Sequence, residues 1–186
     1  MPPAPYVIDV INCENADTAA YWNDLLKPHT SRVIPIGPMS NAITAMIDLV
    51  VSAVGGRPGS IRCLALWGHG LVDAAHRGIG VHAVAGGWDG DAHRSTFRLQ
   101  TITQLGTQLD RLTGLFAAGA RLELRGCGVA RGEGPAAMKK LAATWGVEVQ
   151  AGENNGQALD WAPPVQAAFP DGSLRVVQGI PYDRRR

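Results

Sequence analysis

Leu64-Ala65-Leu66-Trp67-Gly68-His69-Gly70 reads as a short apolar strand running straight into a glycine-flanked histidine. A second stretch has the same grammar. Leu122-Glu123-Leu124-Arg125-Gly126-Cys127-Gly128 is a strand running into a glycine-flanked cysteine. Short apolar runs bounded by turn residues are the signature of buried strands. Parallel strands of one sheet end at a common edge, and open α/β folds place their chemistry there. On neighbouring strand tips, an imidazole and a thiol come within reach of one another. A cysteine beside a base is a nucleophile candidate.

Working outward, the rest of the chain alternates strand and helix patterns. Tyr6 to Ile11 is β-branched and nearly continuous, as a strand buried on both faces is. A helix over about Asp17 to Lys27 follows, with Asn15 or Asp17 as cap and Pro28 beyond its end. Arg32 to Ile36 is a short strand whose proline places it at a sheet edge. Ser40 can cap the next helix, where Ile43, Met46, Ile47, Val50, Val51 and Val54 recur at helical spacing. Gly55-Gly56 stops it. Ile102, Leu105, Leu109, Leu112 and Phe116 predict a further helix ended by Gly119. Pro135 suits the first turn of another, with Met138, Leu141, Ala142 and Trp145 inward and Gly146 at its end. Val147 to Ala151 is a strand, and Gln157 to Ile180 reads as loop with one late strand, Leu174 to Gln178. The fold class is α/β, with a mainly parallel sheet flanked by helices in a single domain.

Residues 71 to 100 are the irregular part. Arg77 to Val84 reads as a strand or hairpin arm, and Gly86 to Asp91 as a turn-rich loop. Because this excursion leaves directly from the histidine, it is expected to overhang the site and to be mobile without substrate.

Composition narrows the classes. A chain of 186 residues buries about 70% of its unfolded surface, enough for a full core. Apolar content of 46% against 18% charged residues excludes a disordered chain. A net charge of +1 makes no case for nucleic acid or a membrane surface as partner. Three cysteines, Cys13, Cys63 and Cys127, form no disulfide framework. With no leader pattern and no bilayer-length apolar run, the expected location is a reducing cytoplasm, which keeps thiols free.

Each candidate has a bland reading beside the chemical one. Taken singly, His69 and Cys127 are ordinary strand-end residues; it is their joint placement that points to acyl transfer. Cys63 lies inside an apolar strand and reads as a small buried hydrophobe. Cys13 follows the first strand, near the proposed edge, with no histidine beside it in any nucleophile motif. His69, His76, His82 and His93 crowd together, and imidazole suits zinc. Their spacing fits no ligand motif, so solvated loop histidines are preferred and no metal or cofactor is expected. Gly126-x-Gly128 lacks the third glycine of a dinucleotide loop, Arg131 standing in its place. Glu123 is out of character in a buried strand and implies a solvated face or a paired charge. Arg125 and Arg131 are near enough in sequence to favour a thiolate at Cys127.

The order His then Cys, 58 residues apart, resembles the caspase-like cysteine peptidases of clan CD. In caspases the histidine precedes the cysteine by about 50 residues. The run from Gly119-Ala120-Arg121 to Cys127-Gly128-Val129-Ala130-Arg131-Gly132 is most similar to the bacterial CHAT-type domains. The resemblance covers roughly residues 60 to 152. The cysteine stands in Arg-Gly-Cys-Gly, not the Gln-Ala-Cys of true caspases. The resemblance implies a three-layer caspase-like fold, a His69–Cys127 dyad, and an oxyanion hole from the amides of Gly70 and Cys127. It also implies a protein or peptide substrate. A preference for basic residues would draw on Asp73, Asp89, Asp91 or Glu153.

Three functions follow: a cysteine endopeptidase of regulated proteolysis, in a bacterial defence or cell-death type of pathway; an inactive caspase-like module that binds a regulatory protein partner; and a metal-dependent enzyme using the histidines.

Overall fold

The computed structural model describes residues 4–13, 16–36, 42–71, 79–82, 99–154 and 160–179, with residues 69–71 and 79–82 described by backbone alone. In chain order the elements are β1 (Tyr6–Asn12), α1 (Ala16–Leu26), β2 (Arg32–Ile36), α2 (Ala42–Val54), β3 (Ile61–Trp67), β4 (His69–Leu71) and β5 (Ile79–His82). Then come α3 (Leu99–Gln104), α4 (Gly106–Leu109), β6 (Phe116–Arg125), α5 (Gly134–Trp145), β7 (Glu148–Gly152), β8 (Val165–Ala168) and β9 (Leu174–Val177).

Seven of these strands form one sheet in the order β2-β1-β3-β6-β7-β8-β9. The first five run parallel; β8 and β9 join antiparallel. From β1 the chain steps to β2 on one side, then returns to β3 on the other. That reversal is a switch point, the place beyond the carboxyl ends of the strands where open α/β sheets bind their ligands. β2 is the edge strand that Pro35 predicts, pairing among the described residues with β1 alone.

Alternation within the strands sends side chains to two faces. Leu64 and Leu66 of β3, with Leu122 and Leu124 of β6, face a large cluster that includes Ile43, Met46, Ile47 and Val50 of α2 and Met138, Leu141 and Trp145 of α5. Ala65 and Trp67 face the other way, toward Leu26, Trp22 and Leu25 of α1 and toward Ile11 and Cys13. Helices therefore pack on both faces of the sheet. Each large apolar side chain buried in α2 contributes about 1.5–3 kcal/mol, which explains why its apolar stripe was so legible. Gly146 ends α5 at φ 67°, and its N–H closes the last turn on Ala142 O at 2.9 Å.

Two readings need correction. The helical stripe does not run on to Phe116. After α3 and α4 a short 3₁₀ turn, Asp110–Leu112, ends the helical part, Gly114 takes φ 83°, and Phe116 to Ala120 belong to β6. Phe116 keeps a helix-like spacing because it packs on the Trp145 ring, centroids 5.7 Å apart. Gly119, at φ 71°, stops no helix; it lies where β6 and β3 fall out of step between the pairs Ile61↔Phe116 and Cys63↔Arg121. The second correction is β8, a strand inside the stretch read as loop. Val-Gln-Ala-Ala has little β pattern of its own; its pairing with β7 makes it a strand. Pro28, expected beyond the first helix, lies in a 3₁₀ turn that extends it, Lys27–His29. The hairpin arm expected within residues 77–84 is β5, paired antiparallel with β4. The remainder of the expected overhang, and the caps Asn15 and Ser40, lie outside the described residues.

Candidate active site

β3 and β6 are neighbours, parallel, and in step along their last residues: Leu64↔Leu122, Leu66↔Leu124 and Trp67↔Arg125. Gly68 N–H donates to Arg125 O at 3.3 Å and closes the pair. His69 and Cys127 each lie two residues past that last matched position, so their backbones leave the same sheet edge on adjacent strands. Adjacent strands are about 4.8 Å apart. No third strand separates them. His69 then starts β4, opposite His82 of β5, and Gly70 stands opposite Val81. The side chain of His69 lies outside the described residues.

Cys127 enters a tight turn and is half-buried. Gly128 takes φ 65°, a left-handed conformation that only glycine adopts without strain. Its N–H reaches across to Asn154 O at 3.3 Å, beyond the end of β7. Ala130 N–H donates to Gly152 O at 3.0 Å, and Arg131 N–H closes the turn on Gly128 O at 3.1 Å. Among the described residues no hydrogen bond engages the N–H of Cys127 itself.

The other two cysteines differ. Cys63 is fully buried and Cys13 is 4% exposed. Burial pushes the Cys13 thiol up, so at neutral pH it stays protonated and a poor nucleophile. Cys13 packs with Ile11, Leu26, Ala65 and Trp67, and among the described residues it lines no open channel. With the fold intact, iodoacetamide is expected to label Cys127 well before Cys13 or Cys63. Peptide mapping of the labelled protein checks the order, and equal labelling of Cys63 would contradict it.

Beneath the site, on the α1 face, lies a buried polar row. Asp9, Glu123 and Gln150 stand at one level across β1, β6 and β7, with Ala65 of β3 between the first two. Asp9 and Glu123 are both fully buried. Of the two explanations for Glu123, pairing holds: Oε1 accepts from Arg121 Nε at 2.7 Å, and Oε2 accepts from Arg125 Nη2 at 2.8 Å and Nε at 3.0 Å. Asp9 Oδ1 accepts from Trp67 Nε1 at 2.5 Å. The Arg125 guanidinium lies 3.8 Å from the Trp161 ring centroid and 5.2 Å from that of Trp67, within cation–π range on both. Arg125 is thus tied to Glu123 and stacked on indoles, which argues against a direct role beside the thiol. Arg131 is exposed and bonds to Asn154 Oδ1.

Trp161 locks this corner. Its Nε1 donates to Leu124 O at 3.2 Å. A Cβ at position 152 would meet its ring at 3.0 Å, and one at position 179 at 2.8 Å, so any larger residue at either position would have to push the indole aside. Nothing in the sequence marked Trp161, and Asp9 was hidden inside an apolar run. A single carboxylate in Val-Ile-Asp-Val-Ile was the one available signal.

Of the residues considered for substrate, only Glu153 is described. It follows β7, as expected, but its Oε1 accepts from Gln166 Nε2 at 2.5 Å. Asp73, Asp89 and Asp91 lie outside the described residues, as do His76 and His93. Among the described residues no helix is long and apolar enough to cross a membrane.

These observations define an α/β protein with a half-buried cysteine and a histidine-bearing strand at one edge of a mainly parallel sheet. No family model, curated protein or solved structure matches the chain.

Proposed function

We propose that the chain is a cysteine endopeptidase of three-layer caspase-like fold, working through His69 and Cys127. The observation that carries this reading is the register. Histidine and cysteine follow the same matched pair, Trp67↔Arg125, on adjacent parallel strands. In the proposed reaction His69 takes the thiol proton, or pairs with the thiolate as imidazolium. The Cys127 sulfur attacks the scissile carbonyl carbon, and the carbonyl oxygen becomes an oxyanion. The N–H of Cys127, unengaged among the described residues, is one donor to it; by resemblance Gly70 N–H is the other. Collapse breaks the C–N bond, and His69 protonates the leaving amine. Water then hydrolyses the acyl-enzyme. The substrate is a protein or peptide, and a role in regulated proteolysis rests on the family resemblance alone.

The test compares wild type with His69→Ala. His69→Ala is expected to slow reaction with a peptidyl acyloxymethyl ketone by about 10²–10⁴-fold while Cys127 remains open to iodoacetamide. A wild-type protein that takes iodoacetamide at Cys127, reacts with no peptidyl electrophile and cleaves no peptide would overturn the reading. It would leave a caspase-like binding module.

A further inference from the structure

We propose that Asn154 is a positioning residue for Cys127, a role that rests on the peptidase reading. Asn154 holds the cysteine's turn from two sides. Its backbone oxygen accepts the N–H of Gly128, the residue directly after the nucleophile, at 3.3 Å. Its side-chain Oδ1 accepts from Arg131 Nη2 at the far end of the same turn. Its Nδ2 donates to Pro163 O at 2.6 Å, anchoring the amide to the segment that carries Trp161. That segment is itself fixed to β6, because Trp161 Nε1 holds Leu124 O three residues before Cys127. The bonds close a ring from Leu124 through Cys127, Arg131, Asn154 and Pro163 to Trp161 and back to Leu124.

The ring has a chemical purpose. A nucleophile must be held within about 0.5 Å of its productive place, and residues on loops are less well held than residues on strands. Cys127 is on a turn, so its rigidity comes from what grips the turn. The grip also sorts the donors. With Gly128 N–H engaged by Asn154, it is withdrawn from an oxyanion, and the neighbouring N–H of Cys127 is the one presented. The Arg131 contact is charge-assisted, the stronger class of hydrogen bond, although it lies at the surface.

The experiment is a double-mutant cycle on Asn154→Ala and Arg131→Ala, read on the best-cleaved member of a quenched-fluorescence peptide set. Each single change is expected to lower kcat on the order of tenfold with KM within about twofold, because alignment and not binding is lost. The double variant is expected to be no slower than Asn154→Ala, since the link that Arg131→Ala breaks is already lost there, together with the bond to Pro163 O. Losses that multiply, or an unchanged kcat in both single variants, would overturn the proposal. Arg131 is exposed, so Arg131→Ala tests the link even if Asn154→Ala fails to fold. Iodoacetamide rates at Cys127 keep the two readings apart. If wild type cleaves no peptide, the peptidase reading fails. The latch is then judged on those rates: the same non-additive pattern upholds it, and four equal rates overturn it.

Discussion

Cys127→Ala is expected to reduce peptide cleavage by at least about 10⁴-fold while leaving the melting temperature unchanged. The proposed reaction depends on one sulfur, and neither of the other two thiols is placed to substitute for it. Cys63 is fully buried and Cys13 is nearly so. The fold should not notice the change. Cys127 sits half-buried on a turn, outside both hydrophobic clusters, and alanine keeps its Cβ. Hydrolysis of a quenched-fluorescence peptide set, with circular dichroism melts beside it, checks both halves. Wild-type cleavage by Cys127→Ala together with loss in Cys63→Ala would move the nucleophile elsewhere.

The second large effect is on stability. Glu123→Ala is expected to destabilise the fold by about 3–5 kcal/mol, because it removes the carboxylate that two buried or half-buried guanidinium groups share. The Arg125 side chain is 2% exposed, and solvent screening does little there. For a chain of this size a loss of that order lowers the melting temperature by about 10 °C. Urea unfolding should show a lower midpoint with an unchanged slope. A shift below about 1 kcal/mol would mean that the pair contributes little beyond its own desolvation cost. The loss would also reach the site, since Arg125 stacks on Trp161 and Trp161 holds the carbonyl of Leu124.

What the sequence determined by itself were the elements whose side chains meet a uniform environment. β1 is buried on both faces, so its β-branched run needed no partner to be read. α2 and α5 present one apolar stripe each, and period 3.6 shows in the order of residues alone. The strands that lead to the glycine-flanked His69 and Cys127 were legible for the same reason: each is an apolar run closed by a glycine. Tertiary structure decided the rest. Phe116 keeps helical spacing yet lies in a strand, because β3 offers it a ladder and Trp145 a ring. β8 exists through its pairing with β7. Glu123 is tolerated because Arg121 and Arg125, two residues away on either side of one strand, point to the same face. Asn154 reaches the turn of Cys127 because β7 lies beside β6. Local pattern records what one residue's neighbours along the chain require. It does not record which strand lies alongside, and the pairing of charges, the grip on a turn and the placing of the His69 and Cys127 strand tips side by side all depend on that.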